Sequence, residues 1–276
     1  MKMKNGRGKI PGFGLSLGLS LSYLSFLILI PISALVIYAA KISPAEYFNI
    51  ILDERVIAAF KVSFFSAIAA ALLNFVFGFI IAWILARHNF FGKKIVDACI
   101  DLPFAIPTAV AGISLAMVFS LNGFMGKFLS LFNISLEYSR AGIVIAIVFI
   151  GLPFVVRTVQ PVIEELDNGV EEAAASLGAN YFQIFFKVVF PSVLPALITG
   201  AAMAFARGLG EYGSVIFISS NMPYESEIVP LLIIKKLMQF DYAGASAIGA
   251  TMLVIAFIML FITNFLQNYM IKERSS

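Results

Sequence analysis

Arg207 and Glu211 put a cation and an anion four residues apart inside an otherwise apolar run, a spacing that sets both on one face of a helix. An ionised group at membrane depth costs at least ~2.5–3.5 kcal/mol on insertion scales, so such groups face a bundle interior or a watery path. Two roles fit: a gate or pathway for a charged solute, or a pair that neutralises itself and holds two subunits in register. Gly200, Ala204 and Gly208 form a small-xxx-small stripe on the same run that lets another helix approach closely. A second weak point lies at Pro103 and Pro107, one helical turn apart. Each proline removes a backbone donor and disturbs the preceding turn, leaving carbonyls for water, side chains or a neighbour; a simple kink is the alternative. Pro103, Pro107, Thr108, Arg207, Glu211 and Ser214 are the candidates for a translocation path or gate. No catalytic residue and no metal-ligand set is assigned, because there is no H-E-x-x-H, one histidine (His88, in a basic loop), and no pair of aspartates deep in the apolar runs. Nor is there a G-x-x-x-x-G-K-[ST] loop, since Gly92-Lys93-Lys94 lacks both the first glycine and the hydroxyl residue; no cofactor is assigned to this chain.

The second chemistry-bearing stretch, residues 171–191, reads EEAAASLGANYFQIFFKVVFP. Asn168 three residues before Glu171 fits a capping box, with Asp167 as the alternative cap, and acidic residues fill the first turn. Val170, Ala174 and Leu177 recur at helical spacing and make a small apolar face on a segment that hydropathy puts outside the membrane. Gly178 can take the positive φ that reverses the chain. Tyr181, Phe182, Phe185 and Phe186 then offer aromatic anchors of the interface kind. A short helix, a turn and a second segment ended by Pro191 would form a compact docking knob; the bland alternative is a helix lying on lipid.

These elements sit in a chain of 276 residues with 61% hydrophobic and 13% charged side chains and mean hydropathy +0.96, against roughly 25% charged in soluble domains. An integral membrane protein of the all-α class follows, since runs approach the ~20 residues needed to cross hydrocarbon and none alternates as a barrel strand does. Six spans are expected, at about 19–40, 57–86, 99–121, 142–159, 194–219 and 243–270. The first is too long for a signal peptide's apolar region and lacks a clear cleavage site. Residues 1–18 and 271–276 are read as cytoplasmic tails around one permease domain, residues 19–270. Lys2, Lys4, Arg7 and Lys9, the basic loop after the second span, and the 272–274 tail all fall on one side, so the positive-inside bias puts both termini and the 161–191 loop in the cytoplasm. The stretch 228–240 is read as an outer interfacial helix or a shallow re-entrant segment. Cys99 is the lone cysteine and is expected in apolar packing. The net charge of +3 is loop bias rather than a nucleic-acid footprint.

Glu172-Ala173-Ala174, three residues, Gly178, nine residues, then Val188 and Phe190-Pro191 resemble the cytoplasmic "EAA" loop of ATP-binding-cassette (ABC) importer permeases. Phe190 stands where that pattern has Leu, and Val188 where it has Ile. LPFAIPTAVAG, GLPFVVRTVQPVIEELD, AFARGLGEYGSVIFISSNMP and SEIVPLLIIKKLMQFDYAGASAIGA extend the likeness over most of the chain from about residue 102. The whole resembles the sulfate/thiosulfate importer permeases of the T-subunit (CysT, or CysU) type, within the molybdate/sulfate importer permease family. That resemblance implies a type I ABC importer permease fold. It also implies a second permease subunit (CysW-like), two ATPase subunits (CysA-like) that carry the ATP and Mg, and an extracytoplasmic sulfate/thiosulfate-binding protein. Glu172, Ala173, Ala174, Gly178, Tyr181, Phe182 and Pro191 would then couple the chain to its ATPase, making it a non-catalytic subunit. The implied location is a bacterial inner membrane, with a plastid inner envelope as the alternative. Molybdate/tungstate import is the runner-up, and an ion-coupled secondary anion transporter is the alternative from another class.

Overall fold

The computed structural model of the chain describes residues 13–275, and the basic N-terminal positions Lys2, Lys4, Arg7 and Lys9 lie outside them. Among the described residues there are helices and no strands. The helices, in chain order, are α1 (Phe13–Ala40), α2 (Pro44–Ile51), α3 (Glu54–Arg87), α4 (Lys93–Ile100), α5 (Leu102–Ala105), α6 (Thr108–Phe119) and α7 (Phe124–Ser130). They continue with α8 (Arg140–Glu164), α9 (Asn168–Ser176), α10 (Tyr181–Leu209), α11 (Val215–Ile218), α12 (Val229–Met238) and α13 (Tyr242–Ser275). Five are long and apolar enough to cross a membrane, and α6 with α7, bent by 43°, makes a sixth if the pair is one span.

The core is a three-helix packing of α3, α8 and α10 around Leu85, Val155, Val156, Val159, Val193, Leu197 and Ala204. Lipid removes the hydrophobic drive for helices to associate, so close van der Waals contact must hold them. The stripe of small residues on α10 provides it. A Cβ on Gly200 would stand 2.8 Å from the Val155 Cα, and one on Gly208 would stand 2.3 Å from the Ile147 Cγ2. Outside this core, α13 packs on α1, α2, α10 and α12, and Tyr47 bonds Thr251 at 2.7 Å. Most of α1 is exposed and without a packing partner among the described residues.

Two spans differ from expectation, and prolines set where each of them begins. The fifth runs over Tyr181–Leu209 rather than 194–219. Pro191 does not end a segment: the π turn Phe185–Val189 carries the helix across it, with the Phe190 N–H donating to the Phe185 carbonyl, one residue further back than in an α-helix. That longer step opens the turn where the proline ring would meet the carbonyl four residues earlier. The same device precedes Pro31 in α1, where the Ile30 N–H donates to the Ser25 carbonyl. The third span is displaced in the other direction. Ile106 is extended (ψ 132°) because it precedes a proline, so Pro107 caps a new helix, α6, and Pro103 starts the short α5. Neither kinks a continuous helix. Cys99, on α4, is exposed rather than packed.

Candidate functional site

The fifth span stops short because Gly210 caps it, so Glu211 stands just past the helix end instead of on the same face as Arg207. The pair still forms, with Arg207 Nη1 2.7 Å from Glu211 Oε2 and the Glu211 side chain 2% exposed. Its other oxygen, Oε1, accepts from the Ser214 N–H at 2.9 Å and the Ser214 hydroxyl at 3.0 Å. One buried carboxylate thus stitches the end of α10 to the start of α11, meeting the backbone needs of a break at bundle depth. The start of α6 lies directly on this break. A Cβ on Gly213 would stand 2.1 Å from the Thr108 Oγ1, and one on Gly112 would stand 2.4 Å from the Ser214 carbonyl oxygen. The fold therefore brings Pro107, Thr108, Glu211 and Ser214 together, with Arg207 joined through Glu211. Pro103 is apart, on α5 against α8, where Phe104 stands edge-on to Phe154 at 5.1 Å.

After the break the chain turns back into the bundle. Val215 and Ile218 are buried with Ile143, Ala146 and Ala70. The Val229 N–H donates to the Ser63 hydroxyl at 2.8 Å, nine residues inside α3, about 13 Å along its axis. Val229, Leu231 and Leu232 of α12 are buried, so α12 is not an interfacial surface helix; it is packed against α3 and α13. Glu227, 1% exposed, fastens it. Its carboxylate accepts from Arg55 Nε at 2.7 Å and Nη2 at 2.8 Å, and from Lys235 Nζ at 2.6 Å. Burial alone would push this carboxyl up, but the Arg55 and Lys235 hydrogen bonds outweigh it and hold the group below the usual carboxylate range. A depressed carboxylate stabilises the fold above its unfolded pKa of about 4.3, and that stability is lost as pH falls through the lower folded value. The protection of α12 amides against exchange, taken relative to the intrinsic rate at each pH, is therefore expected to be constant from about pH 7 to 5 and to fall below about pH 4, whereas Glu227→Gln lowers it at about pH 5–7 and converges with the parent in acid.

At the other end of the bundle, α9 and the start of α10 form a helix-turn-helix. Asp167, not Asn168, caps α9, its carboxylate accepting from the Gly169 N–H at 2.8 Å. Gly178 has φ +85°. The Gly178 N–H donates to the Ala175 carbonyl (2.9 Å) and the Ala179 N–H to the Ala174 carbonyl (3.1 Å), the paired bonds of a Schellman turn. Asn180 and Gln183 then form a reciprocal capping box at 2.9 Å in each direction. Glu172 and Ala173 are exposed and Ala174 half-buried. Around them Val170 (53% exposed), Leu177 (89%), Tyr181 (74%), Phe182 (72%) and Phe186 (60%) form an apolar surface. Phe185 is not among these anchors. It turns inward, edge-on to Trp83 at 5.6 Å and to Phe79 at 6.1 Å on α3. Glu171 pairs with Arg87 at the last turn of α3, and that guanidinium lies over the Trp83 ring at 5.5 Å. The helix-turn-helix and the basic loop after α3 therefore share one end of the bundle.

A hub that sequence reasoning missed stands nearby. Arg157 of α8 grips Asp101 with Nε and Nη2 (2.8 and 2.7 Å), reaches the Asp97 carboxylate (2.6 Å) and carbonyl (2.8 Å), and bonds Gln160 (3.1 Å). It ties α4 and α5 to the core. Two signals pointed to it: Asp97 and Asp101 sit four apart at the edge of an apolar run, and Arg157 interrupts one.

A bundle of broken helices with a projecting helix-turn-helix is the architecture of ABC importer membrane subunits. The structure superposes on a chain of a bacterial ABC transporter that imports the acidic polysaccharide alginate, with TM-score 0.76 at 17% identity, over 94% of this chain and 96% of that one. It also superposes on a chain of the MetNI methionine ABC transporter, with TM-score 0.57 at 15% identity, over 79% and 99%. The chain belongs to the family of binding-protein-dependent transport system inner membrane components, whose family model matches residues 74–275. It is 49% identical over 262 residues to the sulfate transport system permease protein CysT of Escherichia coli, covering 95% of each chain. It is 45% identical over 250 residues to the probable sulfate transport system permease protein cysT of Chlorokybus atmophyticus, covering 91% and 87%.

Proposed function

We propose that this chain is the permease subunit of an ATP-driven importer of sulfate, with thiosulfate as a second substrate, and that it hydrolyses no ATP itself. The observation that carries this reading is 49% identity along nearly the full length of a sulfate permease. The apolar surface of Val170, Leu177, Tyr181, Phe182 and Phe186 supports the coupling role. A patch of large side chains at the membrane edge, rimmed by Glu171 and Glu172, calls for a protein partner. That partner is the ATPase, two copies of which hold ATP and Mg; a second permease chain (CysW-like) completes the pathway, and an extracytoplasmic binding protein delivers sulfate. Residues 161–191 and both termini face the cytoplasm of a bacterial cell. Closure of the ATPase pair moves α9, and the contacts of Arg87 with Glu171 and of Phe185 with Trp83 pass that movement to α3. The break where Thr108, Glu211 and Ser214 meet is the gate region.

The test is uptake of radiolabelled sulfate by vesicles holding the two permease chains and the ATPase pair, with binding protein and ATP. Uptake that requires the ATPase subunits supports the reading. Uptake by vesicles holding this chain alone overturns it in favour of a secondary transporter, and uptake of molybdate but not sulfate overturns the substrate.

A further inference from the structure

At the end of the bundle opposite the helix-turn-helix, a groove of about 710 Å³ runs between α3 and α8, lined by Glu54, Ile57, Lys61, Phe65, Ser66 and Arg140 among others. Ile57, Lys61 and Phe65 recur at four-residue steps, so one face of α3 forms a wall. Lys61 has no carboxylate partner among the described residues. It lies seven residues inside α3, about 10 Å below its first residue. Glu54, the groove's acidic residue, stays at that outer mouth. Arg140 adds a second positive charge with no carboxylate partner among the described residues; its Nε and Nη2 donate to the backbone carbonyls of Glu225 and Tyr224. Ser66 is 5% exposed and lines the groove.

A membrane-level cation without a counter-charge is costly unless an anion visits it, and Ser66, five residues further along α3, brings a hydroxyl to the same groove. We propose that this groove is a transit site for a divalent tetrahedral oxyanion, held by the Lys61 ammonium and the Ser66 hydroxyl under the field of Arg140. This rests on the sulfate-importer reading and names where on this chain the anion is met. One ammonium and one hydroxyl make a weak site, which suits conduction: binding must draw the ion in yet let it leave. A receptor that captures the anion from dilute solution would need a fuller set of donors.

The test uses the assembled transporter with saturating sulfate-loaded binding protein, comparing Lys61→Arg, Lys61→Gln and Lys61→Glu with the parent. Uptake per recovered complex is expected to follow charge: close to parental for Arg, down about tenfold for Gln, the loss of roughly one charge-assisted hydrogen bond, and lower still for Glu. Ser66→Ala is expected to reduce uptake about threefold. Equal uptake across the series overturns the site. So does a loss that follows the amount of complex recovered rather than side-chain charge, which would make Lys61 a packing residue against the second permease chain. If the transporter carries another oxyanion instead of sulfate, the substrate assignment fails while a charge-graded series with that anion still supports the site; an uncharged or cationic cargo overturns both.

Discussion

Gly178→Val is expected to lower solute-stimulated ATP hydrolysis by the assembled transporter at least tenfold while the spanning bundle still inserts and assembles. Gly178 adopts φ +85°, and a Cβ there would meet nothing within 4 Å, so the damage comes from backbone conformation and not from crowding. A β-branched residue in the left-handed region costs about 1–3 kcal/mol, enough to favour a different turn between α9 and α10. The Schellman bonds to Ala174 and Ala175 would be lost, and Leu177 and Tyr181 would no longer present one surface. The core of α3, α8 and α10 lies elsewhere, which keeps assembly out of the effect. Gly178→Asn, which tolerates this conformation, is expected to retain most of the coupling. Equal hydrolysis in the parent and the valine variant would remove the docking role from this turn.

The second large effect is expected at Glu211. Glu211→Ala leaves the Arg207 guanidinium without its anion and the Ser214 N–H without an acceptor, in a place where water is scarce. Breaking a buried pair by removing one partner costs about 3–5 kcal/mol, and the lower end applies here because Arg207 is partly exposed. A loss of about 3 kcal/mol lowers the Tm of a chain this size by roughly 5–10 °C in detergent. Arg207→Gln is expected to do comparable harm by stranding the carboxylate, and the double variant Arg207→Gln with Glu211→Gln to recover part of it. This pattern would assign the pair to holding the break between α10 and α11. If Arg207→Gln instead keeps its Tm and loses uptake, Arg207 belongs to the anion's path.

Residues close in sequence carried what could be read early. The turn at Gly178, the exposed Val170 and Leu177, the small-residue stripe of Gly200, Ala204 and Gly208, and the basic loop after α3 all rest on spacings of one or two helical turns. Proline misled where its effect depends on context. Pro191 reads as a stop, yet the π turn before it keeps α10 continuous, whereas at Pro107, which reads as either a break or a simple kink, the chain does break and a new helix begins. Phe185 shares its segment with exposed aromatics and still faces inward, because Trp83 and Phe79 wait on α3.

From the sequence alone came a helical membrane chain, its permease-like motif series, and the helix-turn-helix with its glycine. Those depend on composition and on neighbours within about four residues, which one strand of text contains. The tertiary structure alone decided which charges answer one another. Arg157 meets Asp101 across 56 positions and Arg55 meets Glu227 across 172. Glu211 is satisfied by the break it spans, and Lys61 faces a groove with no carboxylate partner among the described residues. A charge in a membrane span announces only that it needs a partner or a path; the packing of distant helices determines which of the two it has.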